Sequence, residues 1–170
     1  MGLFNFFKKK EEKKETQVQG NQINVNRLKD EFIQNLSSTY GLKFEGEIKS
    51  SNDGSAPYLV LTNSITHQSY KGGIYCKFII FPSGSLSVEF VFDKINKDDY
   101  VVQLLHEFNK NIAFLAAYVR NDGYLVVHYN VADLDAKDMW DNTRRCVNSL
   151  SNETIEKYLS PLSQLTYSEN

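Results

Sequence analysis

The sequence predicts an α+β fold: an antiparallel sheet of about five or six strands with helices packed on one face, in the order α-β-β-β-β-α-β-β-α. Three observations carry that expectation. Apolar residues recur at three- and four-residue steps near both ends of the chain and once in its middle, the spacing that lays a stripe along a helix. Between those stretches apolar and polar residues alternate, as in a half-buried strand. The alternating runs are joined by turns rich in Asn, Asp, Gly and Pro, which suit antiparallel neighbours because parallel strands need long crossovers.

The first helix is expected over residues 25–40, with Val25, Leu28, Phe32, Ile33, Leu36 and Tyr40 on one face. Asn24 or Asn26 can cap its start, and Gly41 stands where a left-handed residue closes a helix. Leu42, Phe44, Gly46 and Ile48 then alternate with charged residues, Asn52-Asp53-Gly54 turns the chain, and 58–62 gives a second run. A polar loop is expected over 63–73. Ile74, Cys76, Phe78 and Ile80 mark a third strand, Pro82-Ser83-Gly84 a turn, and Leu86, Val88, Phe90 and Phe92 a fourth strand. A second helix begins near Lys97. Asp98 and Asp99 suit its positive N-terminal end, while Tyr100, Val101, Leu104, Leu105, Phe108 and Ile112 form its stripe. Asn121-Asp122-Gly123 joins 113–120 to 124–131 as a hairpin. From Ala136 the pattern is helical, with Met139, Trp140, Thr143, Val147 and Leu150 on one face. Asn152 is a point of restart, Ile155, Tyr158 and Leu159 continue it, and Pro161 is expected to break it.

A chain of 170 residues that is 41% hydrophobic and 13% aromatic can fill a core without disulfide or metal staples. One domain is expected over 21–170, preceded by a flexible charged segment at 1–20. The formal charge is -2 and no long basic stripe runs through the body, so nucleic acid is not an expected partner. Cys76 and Cys146 fit neither a zinc pattern nor a disulfide framework; both are expected to be buried and reduced, in a soluble cytoplasmic protein. No segment approaches the ~20 apolar residues of a membrane-spanning helix.

At the N-terminus Leu3, Phe4, Phe6 and Phe7 precede Lys8, Lys9, Lys10, Lys13 and Lys14, with Glu11 and Glu12 among them and Glu15 directly after. Apolar before basic reverses the order of a secretory signal. Phe6 stands where N-myristoylation requires Ser or Thr. The simplest expectation is a frayed terminus with a short charged helix. The alternative is a membrane-surface tether, with Leu3, Phe4, Phe6 and Phe7 entering the interface and Lys8, Lys9 and Lys10 near lipid phosphates.

The order of elements, and above all the last third of the chain, resembles the YbjN-like domains, relatives in fold of type III secretion chaperones. The residues that carry the likeness are Leu104-Leu105-His106-Glu107-Phe108-Asn109, the segment 113–120, Asn121-Asp122-Gly123-Tyr124-Leu125-Val126-Val127, and Lys157-Tyr158-Leu159-Ser160-Pro161-Leu162. That family likewise shows a helix ending in Leu-Asn, an Asp and Gly turn before an apolar strand, and an aromatic shortly before a proline at the end of the last helix. The likeness spans roughly residues 25–166. The long polar loop at 63–73, and Leu159-Ser160 where bulkier aromatics are usual, depart from the family pattern. The resemblance implies a compact bacterial adaptor or chaperone-like module, often dimeric, with no established chemistry.

Motifs for chemistry fail on inspection. His106-Glu107 opens like a zinc-protease helix, but the second His is replaced by Lys110. His67 and His128 stand alone. Asp133, Asp135, Asp138 and Asp141 resemble a calcium loop, yet Lys137, Asp138 and Arg144 occupy positions that need an oxygen ligand, a glycine and a glutamate. Carboxylates at a helix N-terminus explain the run better. Ser83 and Ser85 flank Gly84 without a nucleophile elbow, and Lys71-Gly72-Gly73 lacks the glycines of a phosphate cradle. No enzyme activity, metal or cofactor is therefore expected, and a small enzyme of unknown type is the third reading.

The informative feature is the second face of the sheet. Ile74, Cys76, Phe78, Ile80, Leu86, Val88, Phe90 and Phe92 must meet the helices. Opposite them lie Tyr75, Lys77, Ile79, Phe81, Ser85, Ser87, Glu89 and Val91, too apolar for free solvent and too polar for a core. In the late hairpin a three-residue turn pairs Arg120 with Tyr124. It puts Leu115, Ala117, Val119, Leu125, Val127 and Tyr129 towards the core, and Tyr118, Tyr124, Val126 and His128 on the other face. A two-residue turn would flip one strand. The three-residue form is preferred because it segregates the aliphatics and lets Gly123 turn left-handed. Tyr75, Ile79, Val91, Tyr118, Tyr124, Val126 and His128 are then the expected contact set for a protein partner or a second copy. Tyr and Ile are also ordinary strand formers, which is the plainer explanation. The leading expectation is a non-catalytic protein-binding module, chaperone-like or adaptor; the alternative is a membrane-associated regulatory protein.

Overall fold

The computed structural model describes residues 23–50 and 56–168. The elements follow as α1 (Val25–Tyr40), β1 (Glu45–Lys49), β2 (Tyr58–Thr66), β3 (Gly73–Ile80), β4 (Leu86–Lys94), α2 (Asp99–Asn111), β5 (Ala116–Val119), β6 (Tyr124–Val131), α3 (Ala136–Ser149) and α4 (Glu153–Gln164). The fold is α+β. Six strands form one antiparallel sheet in the order β1-β2-β3-β4-β6-β5, so α2 and β5 are an excursion between two paired strands.

Local chemistry sets the helix ends. The Asn24 side chain accepts the Asn26 and Arg27 N–H groups at 3.1 and 3.2 Å, and Gly41 closes α1 at φ 68°. Asp98 accepts the Val101 N–H at 2.8 Å and Asp135 the Asp138 N–H at 2.8 Å, so these acidic residues serve helix starts. Asn152 caps α4 through Thr154 and Ile155.

All four helices cover the same face of the sheet. Phe32 and Leu36 of α1, Phe108 of α2, Met139 of α3, and Leu159 and Leu162 of α4 share one core cluster with Leu61, Phe78, Phe90, Leu125 and Val127 of the strands. Cys76 and Cys146 are free and buried in that cluster, and burial pushes each thiol up to about 12.

The late hairpin takes the three-residue form. The Arg120 N–H donates to the Tyr124 carbonyl at 2.9 Å, Gly123 sits at φ 91°, and Ala117 pairs with Val127. The last full turn of α2 then supplies a side chain in place of a further strand. Asn109 donates to the Ala117 carbonyl at 2.9 Å and accepts the Ala117 N–H at 2.7 Å. Asn109→Ala strands both groups beside the core, and denaturant unfolding is expected to show a loss of about 2 kcal/mol. Asn109→Asp keeps only the acceptor and should fall between the two.

Four expectations need correction. Strand β2 continues to Thr66, because Asn63, Ser64, Ile65 and Thr66 pair with Cys76, Tyr75, Ile74 and Gly73. The polar loop therefore shrinks to 67–72, and it is stitched to the C-terminal helices. Tyr70 donates to the Leu150 carbonyl at 2.8 Å, Ser160 to the Ser69 carbonyl at 2.8 Å, and the Lys71 N–H to Ser163 at 2.7 Å. Strand β5 begins only at Ala116. The terminal helix is split at Leu150-Ser151-Asn152, yet Pro161 lies inside α4. A proline removes one N–H bond, and the burial of Leu159, Leu162 and Ser163 holds the last turn regardless. The turn at Asn52-Asp53-Gly54 and the whole segment 1–20, including Leu3, Phe4, Phe6, Phe7, Lys8, Lys9 and Lys10, lie outside the described residues. Among the described residues no helix is long and apolar enough to cross a membrane.

Candidate functional site

Residues directly opposed in an antiparallel pair share a face, so the register writes out the uncovered side of the sheet as three rows. The first runs Glu47, Val60, Ile79, Ser87, Asn130. The second is charged: Glu45, Thr62, Lys77, Glu89, His128, Ala116. The third runs Ser64, Tyr75, Val91, Val126, Tyr118. Four of the seven expected contact residues stand side by side in this third row, across four different strands.

The row has a floor and two walls. Val126 is 0% exposed although it belongs to the side that the helices do not cover, and Val60 is nearly as enclosed; neither joins the main core cluster. Tyr75 at 44% and Tyr118 at 38% stand exposed on either side. Val126 is therefore the floor of the row and has no exposed surface of its own, which departs from the expectation that it is a contact residue. Tyr124 is also engaged already. Its ring lies 5.5 Å from the Lys94 ammonium and 5.3 Å from the Arg120 guanidinium, at the edge where β4 bulges between Val91 and Lys94. Ile79, Val91 and His128 are half-buried.

The face is concave. Glu45 and Glu47 of β1 line the same basin of about 530 Å³ as Val60, Lys77, Val91 and Arg120, although β1 and the β5–β6 turn belong to opposite edges of the sheet. The sheet must curl towards this side for that to happen. Its middle row carries an ion pair, Lys77 Nζ to Glu89 Oε2 at 3.6 Å, with His128 opposite Glu89 on the next strand. Burial raises the Tyr118 hydroxyl above the ordinary tyrosine range, and the Glu89 charge adds to it. At the rim Arg120 donates to Asp122 at 2.7 Å, which holds that carboxyl below the usual range. Exposed pairs of this kind contribute little stability.

Two other places were candidates for chemistry. His67 Nε2 lies 3.0 Å from Ser151 Oγ and 3.9 Å from Glu156, which has the membership of a hydrolytic triad. The geometry opposes that role. Nδ1 accepts the Ser69 N–H at 3.3 Å, so the neutral ring carries its proton on Nε2 and donates it towards Ser151. A base must instead offer Ser a lone pair. A second hollow, of about 540 Å³, lies between the end of α2 and the helices α3 and α4. There Arg144 pairs with Asp141 at 3.4 Å and Arg145 stacks on Phe114 at 4.4 Å. Among the described residues no group of three or more His, Cys, Asp or Glu side chains converges.

No family model, curated protein or solved structure matches the chain. What the sequence missed on the concave side is its β1–β2 half: Val60, Glu45 and Glu47, with Arg120 across the basin. The alternation of charged residues around Phe44, Gly46 and Ile48 carried the signal. Using it requires knowing that β1 and β2 extend the same sheet beyond β3.

Proposed function

We propose that this protein is a non-catalytic binding module, chaperone-like or adaptor, that takes an apolar segment of another polypeptide into the concave face of its sheet. The observation that supports the reading best is the row Tyr75, Val91, Val126, Tyr118, in which exposed tyrosines flank a dry aliphatic floor. Such anchors dominate protein interfaces, and the charged row beside them can fix the orientation of what binds. The curl favours one strand or helix lying in a trough over two flat surfaces meeting. Two free, buried thiols agree with a reducing cytoplasm. The resemblance of the last third to YbjN-like domains points to the same class of function.

The test pairs Tyr75→Ala with Tyr118→Ala and measures partner capture and unfolding in parallel. Each truncation of an interface anchor costs roughly 2 kcal/mol, so the double substitution should lower affinity by roughly a thousandfold. Stability should stay within about 1 kcal/mol of the parent, because both rings are already partly in water. Capture unchanged by the double substitution sinks the reading.

A further inference from the structure

The chain enters the described fold at the β3–β4 turn, about 20 Å along β3 from Tyr75. The Ile23 N–H donates to the Pro82 carbonyl at 3.0 Å, which fixes the end of residues 1–22 at the β3–β4 turn. On the uncovered side of that turn an aromatic pair, Tyr58 and Phe81, meets at 5.3 Å. Next to it Phe81, Ser85, Ser87, Asn130 and Val131 line a hollow of about 430 Å³. From Phe81 the same side leads through Ile79 and Lys77 to Tyr75.

The sequence attached at that point has matching chemistry. Leu3, Phe4, Phe6 and Phe7 supply apolar groups, and both lysines and glutamates follow them between Lys8 and Glu15. The trough offers an apolar floor at Val60, Val91 and Val126, acidic Glu45 and Glu47 on one bank, the Lys77–Glu89 ion pair in its middle, and Arg120 towards the other bank. Reach is sufficient. Phe81 to Tyr75 along β3 is about 20 Å. The stretch from Phe7 to Ile23 covers about 24 Å even if wholly helical, and about twice that when extended.

We infer that the segment around Leu3, Phe4, Phe6 and Phe7 docks in cis into the concave face and competes with the partner for it. This rests on the reading of that face as a binding trough, and names its resting occupant. Tethering raises the local concentration to the millimolar range, so even a weak four-residue apolar contact fills the trough for much of the time. A partner must then displace it.

Tyrosine nitration on the full chain, read residue by residue, tests the inference. The substitutions are Phe4→Ser, Phe6→Ser and Phe7→Ser together. Tyr58, Tyr75 and Tyr118 should react about fivefold faster in the variant, as expected if the segment is docked about four-fifths of the time. Exposed Tyr100 on α2 should react equally in both, and buried Tyr70 should stay slow, which shows that the fold is retained. Protection in the parent should not change on dilution. Equal rates at Tyr75 and Tyr118 in parent and variant overturn the inference. So does protection that fades on dilution, because a second copy is then the occupant. Loss of partner capture in Tyr75→Ala with Tyr118→Ala, combined with equal nitration rates, rejects the tether and keeps the binding trough. Docking of the tether with partner capture untouched rejects the trough as a partner site.

Discussion

Phe78→Ala should lower stability by about 3–5 kcal/mol, the largest loss expected from any single substitution in this chain. Phe78 sits in the middle of β3, the third strand of six, and is fully enclosed. Its ring meets Phe44, just before β1, edge-on at 5.3 Å and Phe90 of β4 at 6.3 Å, so truncation opens a cavity between neighbours on two other segments. Phe90 is held by pairing with Cys76 on one side and Val127 on the other, so it cannot collapse into the gap. Chemical denaturation should report the loss, with the midpoint of thermal unfolding falling by roughly 10 °C. Phe78→Leu, which keeps more of the volume, should cost clearly less. A loss below 1 kcal/mol for the alanine variant would mean that the aromatic cluster is not the centre of the fold.

Gly84→Ala should cost about 2 kcal/mol or more, through the backbone and not through the core. Gly84 closes the β3–β4 turn at φ 85°, a region that side chains strain. An added Cβ would stand 2.6 Å from the Leu134 carbonyl oxygen and 3.1 Å from its nitrogen. That nitrogen donates to the Gly84 carbonyl at 2.9 Å, so neither backbone can move aside without breaking a bond that ties β6's exit to the turn. Gly41 supplies the control. It has φ 68° but nothing within 4 Å of the added atom. Gly41→Ala should therefore show the conformational cost alone, about 1 kcal/mol. Equal losses at the two positions would remove the steric part of the argument.

The local elements were legible where one physical signal acted alone. Helix α1 follows from its stripe, its Asn24 cap and its Gly41 stop, all of which agree. The hairpin register follows from segregation of the aliphatics and from Gly123. What failed involved pairing over distance. The polar run Asn63, Ser64, Ile65 and Thr66 has no strand pattern of its own and is strand because β3 offers partners. Pro161 stays in a helix because Leu162 and Ser163 are held by tertiary packing and by the 67–72 loop.

The site divided in the same way. The face of Tyr75, Val91, Tyr118, Val126 and His128 could be read from period-two alternation on two hairpins. That Val126 lies at the bottom of the row could not, because its cover comes from neighbours on other strands. Nor could the meeting of Glu45 and Arg120 across one basin, which depends on the curl of six strands.

Position-specific photo-crosslinking addresses the concave face most directly. A photoreactive residue is placed at Tyr118, at Tyr75, and at Tyr100 on the helical side, each in the full chain expressed in its native cells. Tyr118 and Tyr75 should give the same discrete adduct with another polypeptide, and competition by the unlabelled protein should remove it. Tyr100 should give none. Adducts that form at Tyr100 and are missing at Tyr75 and Tyr118 would place binding on the helices and contradict the concave face as the working surface.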